Sequence, residues 1–277
     1  MTHANMPLAG VVGDPIAHSK SPKLFAHWLQ TMNLPGQYVP LPVKTEDFEE
    51  VVRALPRMGF KGVNITIPHK LAALSIAEKK SDRAVMIGAA NTLIFRSDGL
   101  IHADNTDGYG FLANLRAAAP SWEPKAGPAA VLGAGGAARA VLNALLDSGV
   151  EKILLTNRTK GKAETLRTDF GSRIEVVDWV DAGAAVEDAK TIVNTTSLGM
   201  VGQPDLRVPL DGLAAGDVVS DLVYAPLETD LIKAARAAGC VAVDGLGMLL
   251  HQAVPGFERW FGARPEVTNA TRLAVLG

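Results

Sequence analysis

The feature that most constrains the fold is a glycine-rich segment, GAGGAA, lying between an apolar run and a helical pattern. The preceding AAVL has the character of a buried strand, and the following RAVLNALL repeats apolar residues at helical spacing. Gly133, Gly135 and Ala138 match the pattern G-x-G-x-x-[G/A], which permits a tight turn, close approach of a pyrophosphate and close helix–strand packing. A plain glycine-rich turn is the alternative, but the strand–turn–helix context favours a dinucleotide site at a helix N-terminus.

The second half of the chain alternates strand-like and helix-like segments. Six runs between about residues 108 and 245 are predicted to be strands: AAVLG, KILLTN, IEVVDW, TIVNTTS, DVVSDLVY and CVAVDG. Helical stretches separate them, and this alternation predicts βαβ crossovers and a parallel, doubly wound sheet. We therefore expect an α/β protein in which residues 108–245 form a Rossmann-type domain.

The first hundred residues show a looser α/β pattern. LAGVVG, GVNITI, ANTLIF and LIHAD are predicted to be strands. Ser21 and Pro22 predict the start of a helix, with Ser21 as its N-cap. The segment GMLLHQAVPGFERWFG is predicted to be a long amphipathic helix that returns to pack on this region. We expect a discontinuous domain made of residues 1–107 and 246–277.

Composition and charge argue against several functional classes. A content of 48% hydrophobic and 20% charged residues suits a packed core rather than a disordered chain. The formal net charge of −2 supplies no overall basic field for nucleic acid. Cys240 is the only cysteine, and no His and carboxylate residues occur at ligand spacing, so we expect no disulfide and no metal. We also expect a cytoplasmic protein without a membrane partner, since neither a signal peptide nor a spanning run is visible.

The strand after the glycine turn indicates which dinucleotide is bound. NAD-binding sheets usually end this strand with Asp or Glu, which binds the ribose 2′-hydroxyl. Here KILLT is followed by Asn157, Arg158, Thr159 and, three residues later, Lys162. A carboxylate would repel a 2′-phosphate, whereas Arg and Lys pair with it and Thr can donate a hydrogen bond. A solvated basic loop is the alternative; together with the glycine turn, the segment predicts NADP.

Another segment, GVNITIPHK, places a lysine directly after a strand. Val63, Ile65 and Ile67 alternate with polar residues, which is typical of a strand with two different faces. Taken alone, Lys70 would be a solvated charge at a strand end, since lysines are mostly exposed. Hydride transfer with NADP, however, needs a proton donor or acceptor at the substrate's carbonyl or hydroxyl.

Eight blocks, in order, resemble the shikimate dehydrogenase family: GDPIAHSKSP, NITIPHK, GAANTL, DNTDG, GAGGAAR, NRT, DLVYAPLET and DGLGMLLHQA. They run from Gly13 to Ala253, so the resemblance covers nearly the whole chain, and eight blocks in order are highly specific. The resemblance implies NADPH-dependent reduction of 3-dehydroshikimate to shikimate in the aromatic amino-acid pathway. It implies a substrate domain and an NADP domain that face each other across a cleft, in a monomer or a homodimer.

The resemblance also implies roles for individual residues. Lys70 and Asp107 would form the catalytic pair, in which Lys70 exchanges a proton with the reacting oxygen. Ser19 and Ser21 would hold the substrate carboxylate. The residues implied to bind ring hydroxyls or to close the pocket are Asn64, Thr66, Asn91, Asp107, Gln252 and, from the cofactor side, Tyr224. The residues implied to bind NADP are Asp82, Gly133, Ala134, Gly135, Gly136, Ala137, Asn157, Arg158, Thr159, Lys162, Leu222, Gly245 and Met248. Lys162 lies where the family usually has Arg; since Lys is also a cation, the positive charge at this position is kept.

Other functions stay open at this point. A quinate/shikimate dehydrogenase of the same family, often NAD-preferring, would need room around Ser19 and Ser21 for the extra hydroxyl of quinate. A folate-type methylene dehydrogenase has a comparable two-domain plan, but HSKS and DNTDG speak against it. A non-catalytic NADP-binding sensor could keep the glycine turn without the catalytic pair. Lys70 and Asp107 are both present, which favours an enzyme.

Overall fold

Two β-sheets organise residues 6–277, the part of the chain that the computed structural model describes. Each sheet belongs to its own unit. The first unit runs to Thr106 and resumes at Leu249, and the second is Asp107–Met248. Helices and strands alternate in both units, so the predicted α/β class is confirmed.

Within the described residues, the first unit carries a mixed six-stranded sheet. Its strands are β1 (Leu8–Gly13), β2 (Gln37–Pro42), β3 (Phe60–Ile65), β4 (Lys79–Lys80), β5 (Thr92–Phe95) and β6 (Ile101–Asp104). They lie in the order β2-β1-β3-β5-β6-β4. Strand β1 is parallel to β2 and β3, whereas β5 is antiparallel to β3 and β6. The first helices of this unit are α1 (Ser21–Thr31), α2 (Phe48–Ala54), α3 (Lys70–Ile76) and α4 (Asp82–Ile87), with a 3₁₀ turn at Leu55–Met58.

Helix α1 corrects one prediction. Ser21 is not the N-cap, because Lys20 already has helical backbone angles (φ −84°, ψ −8°) and precedes Ser21 as the cap. Pro22 lies in the first turn, where backbone N–H groups have no partner within the helix, so its lack of an N–H costs no hydrogen bond. The Ser21 side chain is buried and does not cap the helix backbone, so its hydroxyl is available to other partners.

The second unit, all of which the structure describes, carries a parallel six-stranded sheet. Its strands are β7 (Ala129–Leu132), β8 (Ile153–Thr156), β9 (Ile174–Val177), β10 (Thr191–Asn194), β11 (Val218–Asp221) and β12 (Val241–Val243). The strands lie in the order β12-β11-β10-β7-β8-β9. The chain enters the sheet at the central strand β7, adds β8 and β9 on one side and then β10 to β12 on the other, as in a doubly wound sheet. All six predicted strands are therefore confirmed.

Helices cover both faces of this parallel sheet. They are α5 (Asp107–Ala118), α6 (Gly136–Ser148), α7 (Lys160–Phe170), α8 (Ala182–Glu187) and α9 (Asp230–Ala237), with a 3₁₀ turn at Trp179–Asp181. Val131 packs in the core beneath α6, and its neighbour Leu132 packs in the core beneath α8 and α9. Because successive side chains of a strand point to opposite faces, both faces of β7 are buried.

The remaining helices are α10 (Gly245–Phe261) and α11 (Asn269–Leu276). The boundary between the units falls inside α10, after Met248. Beyond it, Phe257 and Trp260 join an aromatic cluster of the first unit; the Phe257 ring centroid is 5.6 Å from Phe25, and that of Trp260 is 6.2 Å from Tyr38. Among the described residues, no helix combines the length and the apolar character that spanning a membrane requires.

Candidate active site

A buried polar network surrounds Asn91 in the first unit. Asn91 Nδ2 donates to Gln252 Oε1 (3.1 Å) and to Thr106 Oγ1 (3.0 Å). Its Oδ1 accepts from the Thr106 backbone N–H (2.8 Å) and from the Thr92 hydroxyl (2.9 Å). The Thr106 hydroxyl in turn donates to the backbone oxygen of Gln252 (2.8 Å). The structure thus brings together Asn91 and Gln252, which lie 161 positions apart in the sequence.

Asn64 lies beside this network at the end of β3. Its Nδ2 is 3.3 Å from both the Asn91 backbone oxygen and the Thr92 hydroxyl, and its Oδ1 accepts from the Tyr38 hydroxyl at 2.7 Å. The amide is therefore held in one orientation, with its oxygen toward Tyr38. Sequence reasoning did not identify Tyr38.

Ser19, Ser21 and Thr66 lie on two neighbouring segments that follow β1 and β3. Backbone hydrogen bonds join these segments, from Thr66 N to Val12 O (2.9 Å) and from Asp14 N to Ile67 O (3.1 Å). The Ser21 N–H donates to Ser19 Oγ at 3.3 Å, which brings the two predicted carboxylate ligands together.

The predicted catalytic residues both begin helices. Lys70 is the first residue of α3, and its backbone oxygen accepts from Ala90 N at 2.9 Å, one residue before Asn91. Asp107 is the buried first residue of α5 and follows Thr106 directly. Lys70 belongs to the first unit and Asp107 to the second.

His69 anchors the backbone immediately before Lys70. Its side chain is buried, its Nε2 lies 2.7 Å from the Val43 backbone oxygen, and its ring stacks on Phe48 with centroids 4.6 Å apart. These contacts assign His69 a packing role.

In the second unit, a cavity of about 250 Å³ lies at the glycine turn. Predicted cofactor residues that line it are Gly133, Ala134, Gly135, Asn157, Arg158 and Lys162. The other lining residues are Trp179, Thr195, Thr196, Ser197 and Leu198. None of these lining residues carries a carboxylate. The arrangement follows the rule that ligands bind at the carboxyl ends of parallel strands, where strand order reverses, here between β7 and β10.

The backbone of the glycine turn fits a dinucleotide. Gly133 has φ +109°, and a Cβ there would lie 2.7 Å from Thr195 Oγ1, so a side chain is excluded. A Cβ at Gly135 or Gly136 would meet no atom within 4 Å, so open space adjoins the N-terminus of α6. The unpaired N–H groups of such a terminus bind phosphates. Asn157 Oδ1 accepts from Ala134 N at 3.2 Å and ties the turn to the end of β8.

Seven predicted cofactor residues are not among those that line this cavity: Gly136, Ala137, Thr159, Leu222, Gly245, Met248 and Asp82. Gly136 and Ala137 begin α6, and Thr159 is the N-cap of α7. Leu222 and Met248 pack against the core that lies beneath α6. A Cβ at Gly245 would lie 2.3 Å from Leu222 O, so the backbone passes close to Leu222 there. Asp82 is the first residue of α4, in the first unit.

Asp221 is a buried residue that sequence reasoning missed, at the end of β11. It accepts hydrogen bonds from the Thr229 hydroxyl (2.6 Å), Asn194 Nδ2 (2.9 Å) and Val223 N (3.0 Å). Burial raises the pKa of this carboxyl, and the three donors oppose that rise. Asp221 thereby fixes the loop that carries Leu222 and Tyr224. The position of Asp221 at the carboxyl end of a predicted parallel strand is the sequence signal that could have identified it.

Burial also raises the pKa of Tyr224, which lies in this loop. Its phenol therefore stays protonated at neutral pH and can donate a hydrogen bond.

Among residues 6–277, no group of three or more His, Cys, Asp or Glu side chains is placed to hold a metal ion.

Three family models match the chain. They describe the shikimate dehydrogenase substrate binding domain (residues 11–93), shikimate / quinate 5-dehydrogenase (residues 120–200) and the shikimate 5′-dehydrogenase C-terminal domain (residues 245–272). A protein of Ruegeria sp. (strain TM1040), named shikimate dehydrogenase (NADP(+)), is 62% identical over 276 residues, which is 100% of both chains.

Two solved structures cover the same length. Quinate dehydrogenase from Corynebacterium glutamicum in complex with NAD has a TM-score of 0.91 and 30% identity, covering 98% of this chain and 99% of that chain. Shikimate 5-dehydrogenase from Thermus thermophilus in complex with NADP(H) and shikimate has a TM-score of 0.87 and 35% identity, with 98% and 99% covered. With the full-length identity of the Ruegeria protein, these matches show that the chain belongs to the shikimate dehydrogenase family.

Proposed function

We propose that the protein catalyses the reversible, NADP-dependent reduction of 3-dehydroshikimate to shikimate. The observation that carries the choice of cofactor is the cavity at the glycine turn, where Asn157, Arg158 and Lys162 stand and no lining residue is a carboxylate. Two cations suit the 2′-phosphate that distinguishes NADP from NAD. The full-length relative is named for NADP as well.

We assign substrate binding to residues 1–107 with 246–277, and NADP binding to residues 108–245. The substrate is a small monoanion with several hydroxyls, so it needs short donors and acceptors at fixed positions. Ser19 and Ser21 bind its carboxylate through hydroxyls, which avoids the cost of burying an unpaired counter-charge. Asn64, Asn91 and Gln252 bind ring hydroxyls, because an amide can both donate and accept. Thr66 and Tyr224 supply further hydroxyl donors.

Lys70 is the proposed acid. NADPH held by the glycine turn, Arg158 and Lys162 would supply the hydride. Lys70 donates a proton from its ammonium to the carbonyl oxygen of the substrate, so that the new hydroxyl carries that proton. The amine left on Lys70 then takes a proton from water. In the oxidation direction Lys70 accepts the hydroxyl proton instead. Asp107 accepts a hydrogen bond from the same hydroxyl and so positions the reacting carbon.

The second candidate function is quinate oxidation with NAD. The structural similarity to the Corynebacterium quinate dehydrogenase favours it. Arg158 and Lys162 argue for NADP instead.

The test is nicotinamide absorbance at 340 nm during oxidation of shikimate and of quinate, each with NADP and with NAD. We expect rapid turnover of shikimate with NADP and much slower turnover in the other three combinations. Equal or faster turnover of quinate with NAD would replace the proposal by the second candidate. Absence of turnover in all four, from folded protein that binds NADP, would indicate a sensor.

We also propose that the enzyme acts in the cytoplasm, without a metal, as a monomer or a homodimer. Sedimentation equilibrium distinguishes the two oligomeric states, and unchanged turnover after dialysis against a chelator tests the absence of a metal requirement.

A further inference from the structure

A short turn joins the two serines that are assigned to the substrate carboxylate. The Ser21 N–H donates to Ser19 Oγ at 3.3 Å, so the Ser19 side chain closes the turn. Lys20 is the residue between them, and its backbone angles (φ −84°, ψ −8°) bring the Ser21 N–H toward Ser19. The backbone oxygen of Lys20 accepts from Leu24 N at 3.2 Å at the start of α1. The backbone at Lys20 therefore determines where both serine hydroxyls lie.

The Lys20 side chain leaves this turn and reaches the end of α11. Lys20 Nζ donates to the Val275 backbone oxygen at 3.2 Å, although the two residues lie 255 positions apart in the sequence. Val275 belongs to the last turn of α11. The last four carbonyls of a helix have no N–H partner within it, and this end of a helix attracts cations. Lys20 satisfies one of these carbonyls and thereby ties the turn to α11.

The acceptor on α11 is held in place by the fold. Thr268 and Thr271 form a capping box at the start of this helix, in which the Thr271 N–H donates to Thr268 Oγ1 at 3.2 Å. The helix packs against α1. The Val275 side chain is fully buried, whereas that of Leu273, two positions earlier, is 69% exposed. Val275 O is therefore a fixed point to which Lys20 is anchored.

On the basis of the proposed function, we propose that Lys20 is a positioning residue for the substrate carboxylate. It acts through the hydrogen bond from its ammonium to Val275 O, which anchors the turn of Ser19 and Ser21 to α11. Helix α11 thus contributes to substrate affinity, although the carboxylate contacts the two serines rather than this helix. No pattern in the sequence predicts this role, because the ammonium and its acceptor meet only in the folded chain.

The anchor affects affinity because the carboxylate needs both hydroxyls at fixed positions. Ser19 Oγ accepts from the Ser21 N–H, so the single hydrogen of the Ser19 hydroxyl remains available for the carboxylate. A turn that is already ordered binds its ligand without the entropy loss of ordering it during binding. When the anchor is removed, part of the binding free energy is used to order the turn. The affinity for the carboxylate then falls, while NADP binding is unaffected.

The first test is the variant Lys20→Met, which keeps an aliphatic side chain and removes the donor. We expect the KM for shikimate to rise about 3- to 10-fold, with the KM for NADP unchanged and kcat within about twofold. Lys20→Arg keeps a cationic donor and should restore the KM to within about twofold of wild type. Lys23→Met, which changes an exposed lysine of α1, is the matched control. A lower thermal midpoint with unchanged KM values would make Lys20 merely structural and overturn the proposal.

The second test separates anchoring from a direct contact between Lys20 and the substrate. Val275→Ala loosens the packing of the turn that carries the acceptor, so the KM for shikimate should rise about 2- to 4-fold. In the Lys20→Met background the same change should add less than about 1.5-fold. Leu273→Ala, at an exposed position of α11, is the control and should change neither KM.

A direct contact predicts that Val275→Ala has no effect, or the same effect in both backgrounds, and either result overturns the proposal. A wild-type protein that neither binds nor oxidises shikimate would instead overturn the proposed function, and this proposal with it. Activity of the wild-type protein therefore distinguishes the two failures.

Discussion

Lys70 is the single residue on which the proposed proton transfer depends. Lys70→Ala should lower kcat about 10²- to 10⁴-fold, the usual contribution of a positioned acid or base, and leave the Kd for NADP unchanged. Steady-state rates across pH 6 to 10, with NADP binding measured in parallel, check this. Lys61→Ala, which removes an exposed lysine of β3, is the control and should keep the wild-type rate. Normal turnover of Lys70→Ala with an unchanged pH profile would remove Lys70 from the mechanism.

Arg158 should determine the preference for NADP over NAD. Arg158→Ala removes one charge-assisted contact to the 2′-phosphate, so the KM for NADP should rise about 10- to 100-fold while the KM for NAD changes little. Initial rates with both cofactors measure this. Lys160→Ala is the matched control, because Lys160 pairs with Asp178 (2.7 Å) and does not line the cavity. A similar rise for both cofactors would mean that Arg158 supports the fold of the cavity rather than the phosphate.

Some of these residues could be found from the sequence and others could not. Gly133, Asn157 and Arg158 were predictable because they follow strands at a spacing set by local geometry. Tyr38 and Trp179 were not. Only the tertiary structure places β2 across β1 from β3, within reach of Asn64, and the 3₁₀ turn beside the cavity. Ser21 was misassigned as an N-cap because the backbone of Lys20 decides where α1 begins, and no side-chain pattern records that angle.

At the scale of elements, Asp104 fixes α4 to the end of β6. Its carboxylate pairs with the Arg83 guanidinium and accepts from the Ser81 hydroxyl at 2.7 Å, and Ser81 is the N-cap of α4. Burial raises the pKa of Asp104, but the hydrogen bonds from Arg83 and Ser81 outweigh it and hold this pKa below 3.8. The stabilisation is therefore present above pH 3.8 and lost as pH falls through the lower, folded-state pKa.

Asp104→Asn tests this dependence. At pH 7 it should lower the free energy of unfolding by about 1.5–3 kcal/mol, because the Arg83 guanidinium loses its anionic hydrogen-bond partner. As pH falls below 3.8 the difference between variant and wild type should shrink, because the carboxyl of the unfolded chain takes up a proton before that of the folded chain does. The difference is lost as pH falls through the lower, folded-state pKa. Urea unfolding at pH 7 and near pH 3 measures both quantities. A difference that grows in acid would contradict the assigned direction of the shift.

The packing of α10 on β3 depends on the absence of a side chain at Gly62. A Cβ there would lie 2.1 Å from Trp260 Nε1 and 2.2 Å from Leu93 O. Gly62→Ala should therefore lower the free energy of unfolding by about 1–3 kcal/mol or more. Gly161→Ala, in α7 with open space around the new methyl, should raise that free energy by about 0.5–1 kcal/mol. Urea unfolding gives the free energy of unfolding of both variants and checks these expectations. An unchanged free energy of unfolding in Gly62→Ala would show that α10 can shift to accommodate the methyl group.

Elements with strong periodicity were predicted well and weak ones were not. The six strands of the parallel sheet are apolar on both faces, so each stands out as a run bounded by turns. Strand β4 has only the exposed residues Lys79 and Lys80, and its strand character comes solely from pairing with β6. Such an element has no local signal, because its backbone partner alone defines it.

For the whole molecule, NADP should stabilise the fold by mass action. At 100 times its Kd, a ligand that binds only the native state adds about 2.7 kcal/mol, which corresponds to a rise in Tm of about 5–10 °C for a chain of this size. Thermal unfolding with NADP, with NAD and without cofactor measures it. At the same NADP concentration, Lys70→Ala should show the full rise and Arg158→Ala a much smaller one. Equal rises with NADP and NAD would contradict the assigned cofactor preference.

The aromatic cluster of the first unit joins residues that are far apart in the sequence. Phe25, Trp28 and Tyr38 precede the whole second unit, whereas their partners Phe257 and Trp260 lie in α10, after it. All six strands of the parallel sheet precede α10, the last of them ending at Val243. Because a chain is synthesised from its N-terminus and domains fold as units, we expect this sheet to be able to form before the first unit is complete. The aromatic side chains of the first unit gain their partners from α10 only after that helix has been synthesised.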